Sequence, residues 1–169
     1  MTFHQTLRRI ALGHREGVAG TVYGTIVVMA TLAAGSRGED THAWKLATVV
    51  AVTVLVLWVA HVYSHALAEG LRLGRQLKPR EIAAVARQEL PIALAAVAPV
   101  LALGLAQLGA LEAQTAVWLA LGIGVATLAF QGARYAELEH LGRLGRAVSI
   151  SLNVGLGLAI VLLEASITH

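Results

Sequence analysis

The sequence predicts an all-α membrane protein: one domain over residues 1–169, built as a bundle of five transmembrane helices preceded by a short amphipathic helix. Three observations predict it. Hydrophobic residues make up 57% of the 169 residues and charged residues only 14%, which is too apolar for a soluble chain of this size. The apolar residues gather into five runs, each close to the roughly twenty residues that cross a bilayer as a helix. Basic residues fall unevenly between those runs. Of the thirteen Lys and Arg, all but Arg37 and Lys45 lie near the N-terminus, between the second and third runs, or around the turn between the fourth and fifth.

Residues 1–16 set Phe3, Leu7, Ile10 and Ala11 against Arg8, Arg9 and Arg15, the pattern of an amphipathic helix on a membrane surface. A rival reading takes Thr6 to Arg9 as a twin-arginine-like signal; an uncleaved first span is preferred. The first span covers about residues 17–34. Gly20 and Gly24 form a small-x-x-x-small pair there, a face against which another helix can pack closely. The second span, about 43–68, opens with the interfacial anchors Trp44 and Lys45. Pro79 then starts a short surface helix, EIAAVARQEL. The third span, about 90–108, carries Pro91 at its start and Pro99 inside, where proline bends the helix and frees the carbonyl of Ala95. The fourth span covers about 115–135, with Trp118 at one interface, and the fifth about 147–167. The motif RLGR occurs at 72–75 and again at 143–146, an echo that a duplication of spans two-three and four-five would explain. The basic asymmetry puts the N-terminus in the cytoplasm and the C-terminus outside a multi-pass plasma membrane.

The most informative stretch is LWVAHVYSHALAE, at 57–69. It spaces His61, His65 and Glu69 by four, so one helical face carries all three. Ionisable groups inside a span are costly without partners and mark functional sites by default. Trp58 shares the face one turn away, whereas Tyr63 points elsewhere. Two imidazoles and a carboxylate suit a divalent metal such as zinc, with His140 from the fourth span as the next ligand, and zinc is the candidate cofactor. The same imidazoles also suit proton relay, because an ordinary histidine pKa lies near cytoplasmic pH. A polar seam of Thr21, Thr25, Gln131, Tyr135, Glu139, Asn153 and Glu164 would extend either pathway. Both readings require the second and fourth spans to be neighbours near His65.

Ion transport through a His/Glu cluster at the cytoplasmic side is therefore the leading reading. The alternative is a non-transporting protein that binds lipid or assists membrane assembly, its basic belt reading anionic headgroups. The chain holds no cysteine, which removes disulfides and thiolate chemistry, and no nucleophile or phosphate-loop motif points to an enzyme. The expected partners are the bilayer and further copies of the chain in a homo-oligomer; nothing suggests nucleic acid. The segments VYGTIVV at 22–28, LWVAHVYSHALAE, and RQELPIALAAVAP at 87–99 together resemble an uncharacterised family of small five-span actinobacterial membrane proteins. The resemblance covers most of the chain and implies a bacterial inner-membrane protein. It carries over no activity, cofactor or functional residue.

Overall fold

The computed structural model describes the backbone of residues 3–36 and 42–167, and the side chains from residue 17 onward within those stretches except at 163–165 and 167. Every regular element among the described residues is helical: α1 (Phe3–Gly35), α2 (Ala43–Leu73), α3 (Pro79–Gln88), α4 (Leu90–Leu94), α5 (Val97–Gln107), α6 (Ala113–Leu138) and α7 (Arg143–Ile167). Five segments are long and apolar enough to cross a bilayer: Gly17–Gly35, Ala43–Leu73, Leu90–Gln107, Ala113–Leu138 and Arg143–Leu162. The chain is a polytopic all-α membrane protein. The amphipathic segment at the start is helical and runs without a break into the first span. Its side chains, and that of Glu164, lie outside the described residues.

The third span is the one that breaks. Proline has no N–H and clashes with the preceding turn, so a helix containing it distorts about four residues upstream. Pro99 produces that distortion at Ala95 and Ala96, where Ala96 N–H bonds the Ala93 carbonyl in a tightened turn before α5 resumes. Pro91 opens α4 in the first turn, where no N–H is required. The chain therefore pivots at Glu89, between α3 and α4.

α1 is the hub and packs against α2, α4, α6 and α7; α5 bridges α2 and α6, and α7 lies against α6. Two glycines set how close the helices come. A Cβ on Gly24 would lie 2.5 Å from the Ile92 carbonyl oxygen and 3.0 Å from the Ala95 Cβ, so only glycine lets α1 and α4 meet there. A Cβ on Gly132 would lie 2.9 Å from the Ser149 carbonyl oxygen, and across that gap Ser149 Oγ donates to the Gly132 carbonyl at 2.8 Å, joining α6 to α7. The Gly20 and Gly24 face is thus covered inside the chain by α4, so a second copy would have to use a different surface.

The interior is divided along its length. Val28, Met29 and Leu32 of α1 meet Val50 and Val54 of α2, Leu103 of α5, and Val117 and Leu121 of α6 in a fully buried apolar core. That core occupies the half of the bundle nearest Trp44 and Trp118. The other half carries Arg72 to Arg87, Arg134, Arg143 and Arg146 at its rim, and is called the basic end below. Outward, Val49, Val52, Val56 and Val59 of α2 are exposed, an apolar surface for lipid to cover.

The two RLGR copies occupy different structural positions. Residues 72–75 close α2, with Gly74 at φ +64° accepting the left-handed cap and Arg75 N–H reaching the Gly70 carbonyl. Residues 143–146 instead open α7. A duplication with matched elements does not follow from them.

Five spans place the turn after α1 and the turn before α3 on opposite sides of the membrane. Topology reporters fused after Ser36 and before Pro79 should report opposite compartments; reporting the same compartment would contradict the span count.

Candidate functional site

The four-residue spacing in α2 gives His61, His65 and Glu69 a common side, and the elements that meet that side decide their partners. His61 Nδ1 lies 3.1 Å from the Leu57 carbonyl. Because a carbonyl only accepts, the contact places the proton on Nδ1 and leaves Nε2 as the lone-pair nitrogen of the neutral ring. The His61 ring lies 5.0 Å from the Tyr23 ring of α1 and 6.2 Å from that of His65. His65 Nδ1 is 2.7 Å from Glu89 Oε1. The Glu89 side chain is only 11% exposed at the pivot between α3 and α4, whereas that of His65 is 58% exposed. Glu69 is taken by Arg72, which donates through Nε and Nη2 at 2.8 and 2.6 Å.

Trp58, one turn from His61, completes the attachment of α3 to α2. The last carbonyls of a helix have no intrahelical donor. Trp58 Nε1–H supplies one to Ala86 O at 3.1 Å. Tyr63 points away and is exposed. His65, Glu69 and Arg72 then line a cleft of about 620 Å³ against Glu81, Val85 and Gln88 of α3.

The α3 start is itself well determined. Pro79 takes the first helical position, and Glu81 reaches back to accept from the Lys78 backbone N–H at 2.7 Å. Arg75 closes over the same carboxylate with two bonds of 2.9 and 2.8 Å. The Arg75 guanidinium first, and the Lys78 N–H second, hold the Glu81 carboxyl down to about 2.

The proposed metal quartet is not assembled. His140 stands just past the end of α6 at φ +52°, where it forms the left-handed cap that lets Leu141 N–H bond the Ala136 carbonyl. α6 packs against α1, α5 and α7 and meets α2 only marginally, so His140 has no route to His61 or His65. Glu69 is already committed to Arg72, and His65 looks outward rather than into the bundle. Among the described residues, no three His, Asp or Glu side chains converge as a metal site requires.

The polar seam divides in the same way. Thr21 donates to the Gly17 carbonyl and Thr25 to the Thr21 carbonyl, each serving its own helix, and Thr25 is fully buried. Gln131, Tyr135, Glu139 and Asn153 do come together, along a cleft of about 530 Å³ between α1, α6 and α7. Asn153 spends its amide on the Ser149 carbonyl. Two contributors escaped sequence reasoning: Glu89 as the partner of His65, and Ala86 as the acceptor for Trp58. The available signal was Pro91, which marks a helix junction and hence both an acidic pivot and unsatisfied carbonyls beside α2. Compared with known proteins, the chain matches no family model, no curated protein and no solved structure.

The Glu81 cap gives a pH dependence with a definite sign. Its carboxyl pKa is lowered from the ordinary 4.5 to about 2, so its stabilisation of α3 is complete above 4.5 and is lost as pH falls through about 2. Carboxyl-carbon NMR should show Glu81 titrating near 2 in the wild type and closer to 4.5 in Arg75→Gln; an unchanged midpoint would contradict the assignment.

Proposed function

We propose that the protein is a non-transporting component of a bacterial cytoplasmic membrane that gathers anionic lipid at its cytoplasmic face, in lipid binding or membrane assembly. The observation that carries this reading is the division of the interior. Every ionisable group of the α2 face, and the cleft that His65 and Glu69 border, lies in the basic half, while the other half is filled by the apolar core around Met29, Val50, Leu103 and Leu121. An ion crossing within one chain would have to leave its polar partners and pass that dry core, at large desolvation cost. The rim suits anionic headgroups. Among the described residues Arg80, Arg134 and Arg143 form no ion pair, and α3 and the start of α4 lie at the same end with Ile82 and Leu90 exposed. The basic asymmetry that supports lipid contact also supports a cytoplasmic location for this end.

One observation favours a second reading, proton exchange. Tyr23, His61, His65 and Glu89 form a chain of exchangeable groups from α1 to the α3–α4 pivot. In one copy it ends at Tyr23, which is exposed on the outside of α1, so it would conduct only if a partner copy, in the homo-oligomer that this reading requires, extended it.

Reconstitution separates the two. Liposomes containing the protein should show proton and zinc flux no faster than empty liposomes. Lipid retained by the purified protein should be enriched in anionic species, with the enrichment falling as salt rises. Flux abolished by His61→Ala and His65→Ala would overturn the lipid reading and establish the second.

A further inference from the structure

The cleft between α1, the bent third span and α6 has a volume of about 460 Å³, and its lining is ordered by depth. Arg134 and Pro91 are nearest the basic end. Gln131 and Thr21 come about one helical turn deeper, roughly 4.5 Å for three residues of α6. Thr127 and Ala98 are deeper still. The threonine hydroxyls donate to their own helices, Thr21 to the Gly17 carbonyl and Thr127 to that of Ile123, each at 2.8 Å. The donors left to the cleft are therefore the Arg134 guanidinium and the Gln131 amide.

Gln131 is the anomaly. Its residue is 7% exposed, and its Oε1 is buried with no hydrogen-bond partner. Oε1 only accepts and has no accessible surface, so it is not the atom a ligand meets; the Nε2–H end of the same amide, which forms no hydrogen bond among the described residues, is the donor left for one. Arg134 stacks its guanidinium 6.0 Å from the Phe130 ring and forms no ion pair among the described residues. A guanidinium at headgroup depth, an amide one turn below it and an apolar wall beneath both form a series that matches one molecule read from the outside inward: phosphate, ester carbonyl, acyl chain.

We propose that this cleft binds a single anionic glycerophospholipid, with its phosphate on Arg134, an ester carbonyl accepting from the Gln131 amide, and an acyl chain along Leu94, Ala95 and Ala98. The proposal rests on the lipid reading above and assigns it a discrete site. Free phosphate shares the chemistry at Arg134 but has nothing to place against the apolar wall, which is why the lipid is the occupant.

Native mass spectrometry of the delipidated, detergent-solubilised protein tests this with three probes: phosphatidylglycerol, phosphatidylcholine and inorganic phosphate. One phosphatidylglycerol should bind in preference to phosphatidylcholine. Arg134→Gln and Gln131→Leu should each weaken it about tenfold, the scale of losing one charge-assisted or buried hydrogen bond. Gln131→Leu removes the unmet polar group and should hold or raise the melting temperature, which separates lost binding from lost folding. The double variant Arg80→Gln with Arg143→Gln should keep the first-bound lipid. If instead that double variant loses it while Arg134→Gln and Gln131→Leu do not, the lipid affinity belongs to the open rim and the cleft proposal fails alone. If the wild type binds the two lipids equally, the cleft and the general lipid reading both fail. If excess inorganic phosphate displaces the lipid, the site is for a free anion and the proposal is overturned.

Discussion

The arrangement depends on one close approach, that of α1 to α4 at Gly24. In a bilayer, packing of helix on helix takes over the role that burial from water plays in soluble proteins, and small residues allow backbones to come near enough for it. With Ile92 O only 2.5 Å from where a Cβ would stand, the two helices are as near as their backbones permit. That contact seats the start of the third span against the hub of the bundle. Once α4 is fixed there, the pivot at Glu89 is fixed beside His65, α3 is drawn back to Trp58, and α4 becomes a wall of the cleft that contains Gln131. The polar end of the molecule is thus held by an apolar contact.

The second organising fact is the unequal filling of the two halves. Near Trp44 and Trp118, branched side chains and alanines interlock, and the buried Ser36 hydroxyl at that end turns back to the Ala33 carbonyl of its own helix. Toward the basic end Pro91 and Pro99 interrupt the third span, α2 runs on for 31 residues, and clefts open between the helices. At about 1.5 Å per residue α2 is roughly 46 Å long, so its Arg72 end stands beyond a hydrocarbon core of about 30 Å. Ionisable groups therefore collect where headgroups and water can solvate them, which relieves the cost of carrying them. An interior sealed on one side and open on the other is suited to holding a membrane component at one face.

Much of the fold was legible because its determinants are local. Run length and composition specify five spans, Pro99 specifies the bend, Pro79 the start of α3, and the spacing of His61, His65 and Glu69 correctly puts them on one side of α2. The candidate site was less legible, because it depends on which helix each face meets. Nothing in the residues near His140 says that α6 would pack on α1 and α7 rather than on α2, so the metal quartet could be imagined but did not form. Glu69 illustrates a second difficulty. Its pairing with Arg72, three residues along, satisfies it locally and removes it from any longer-range site. Gln131 was visible as a polar residue in an apolar span, but its lack of a partner appears only when the surrounding helices are in place.

The central claim is that the α1–α4 contact at Gly24 positions the polar end. Its most direct test is the stability and Trp58 fluorescence of Gly24→Val, set beside Gly122→Val, where an added Cβ meets nothing within 4 Å. Gly24→Val should cost about 1–3 kcal/mol or more by overpacking. It should also shift the Trp58 emission to the red as its bond to the Ala86 carbonyl is lost, while Gly122→Val changes neither. A Gly24→Val protein with wild-type stability and unshifted Trp58 emission would contradict the account.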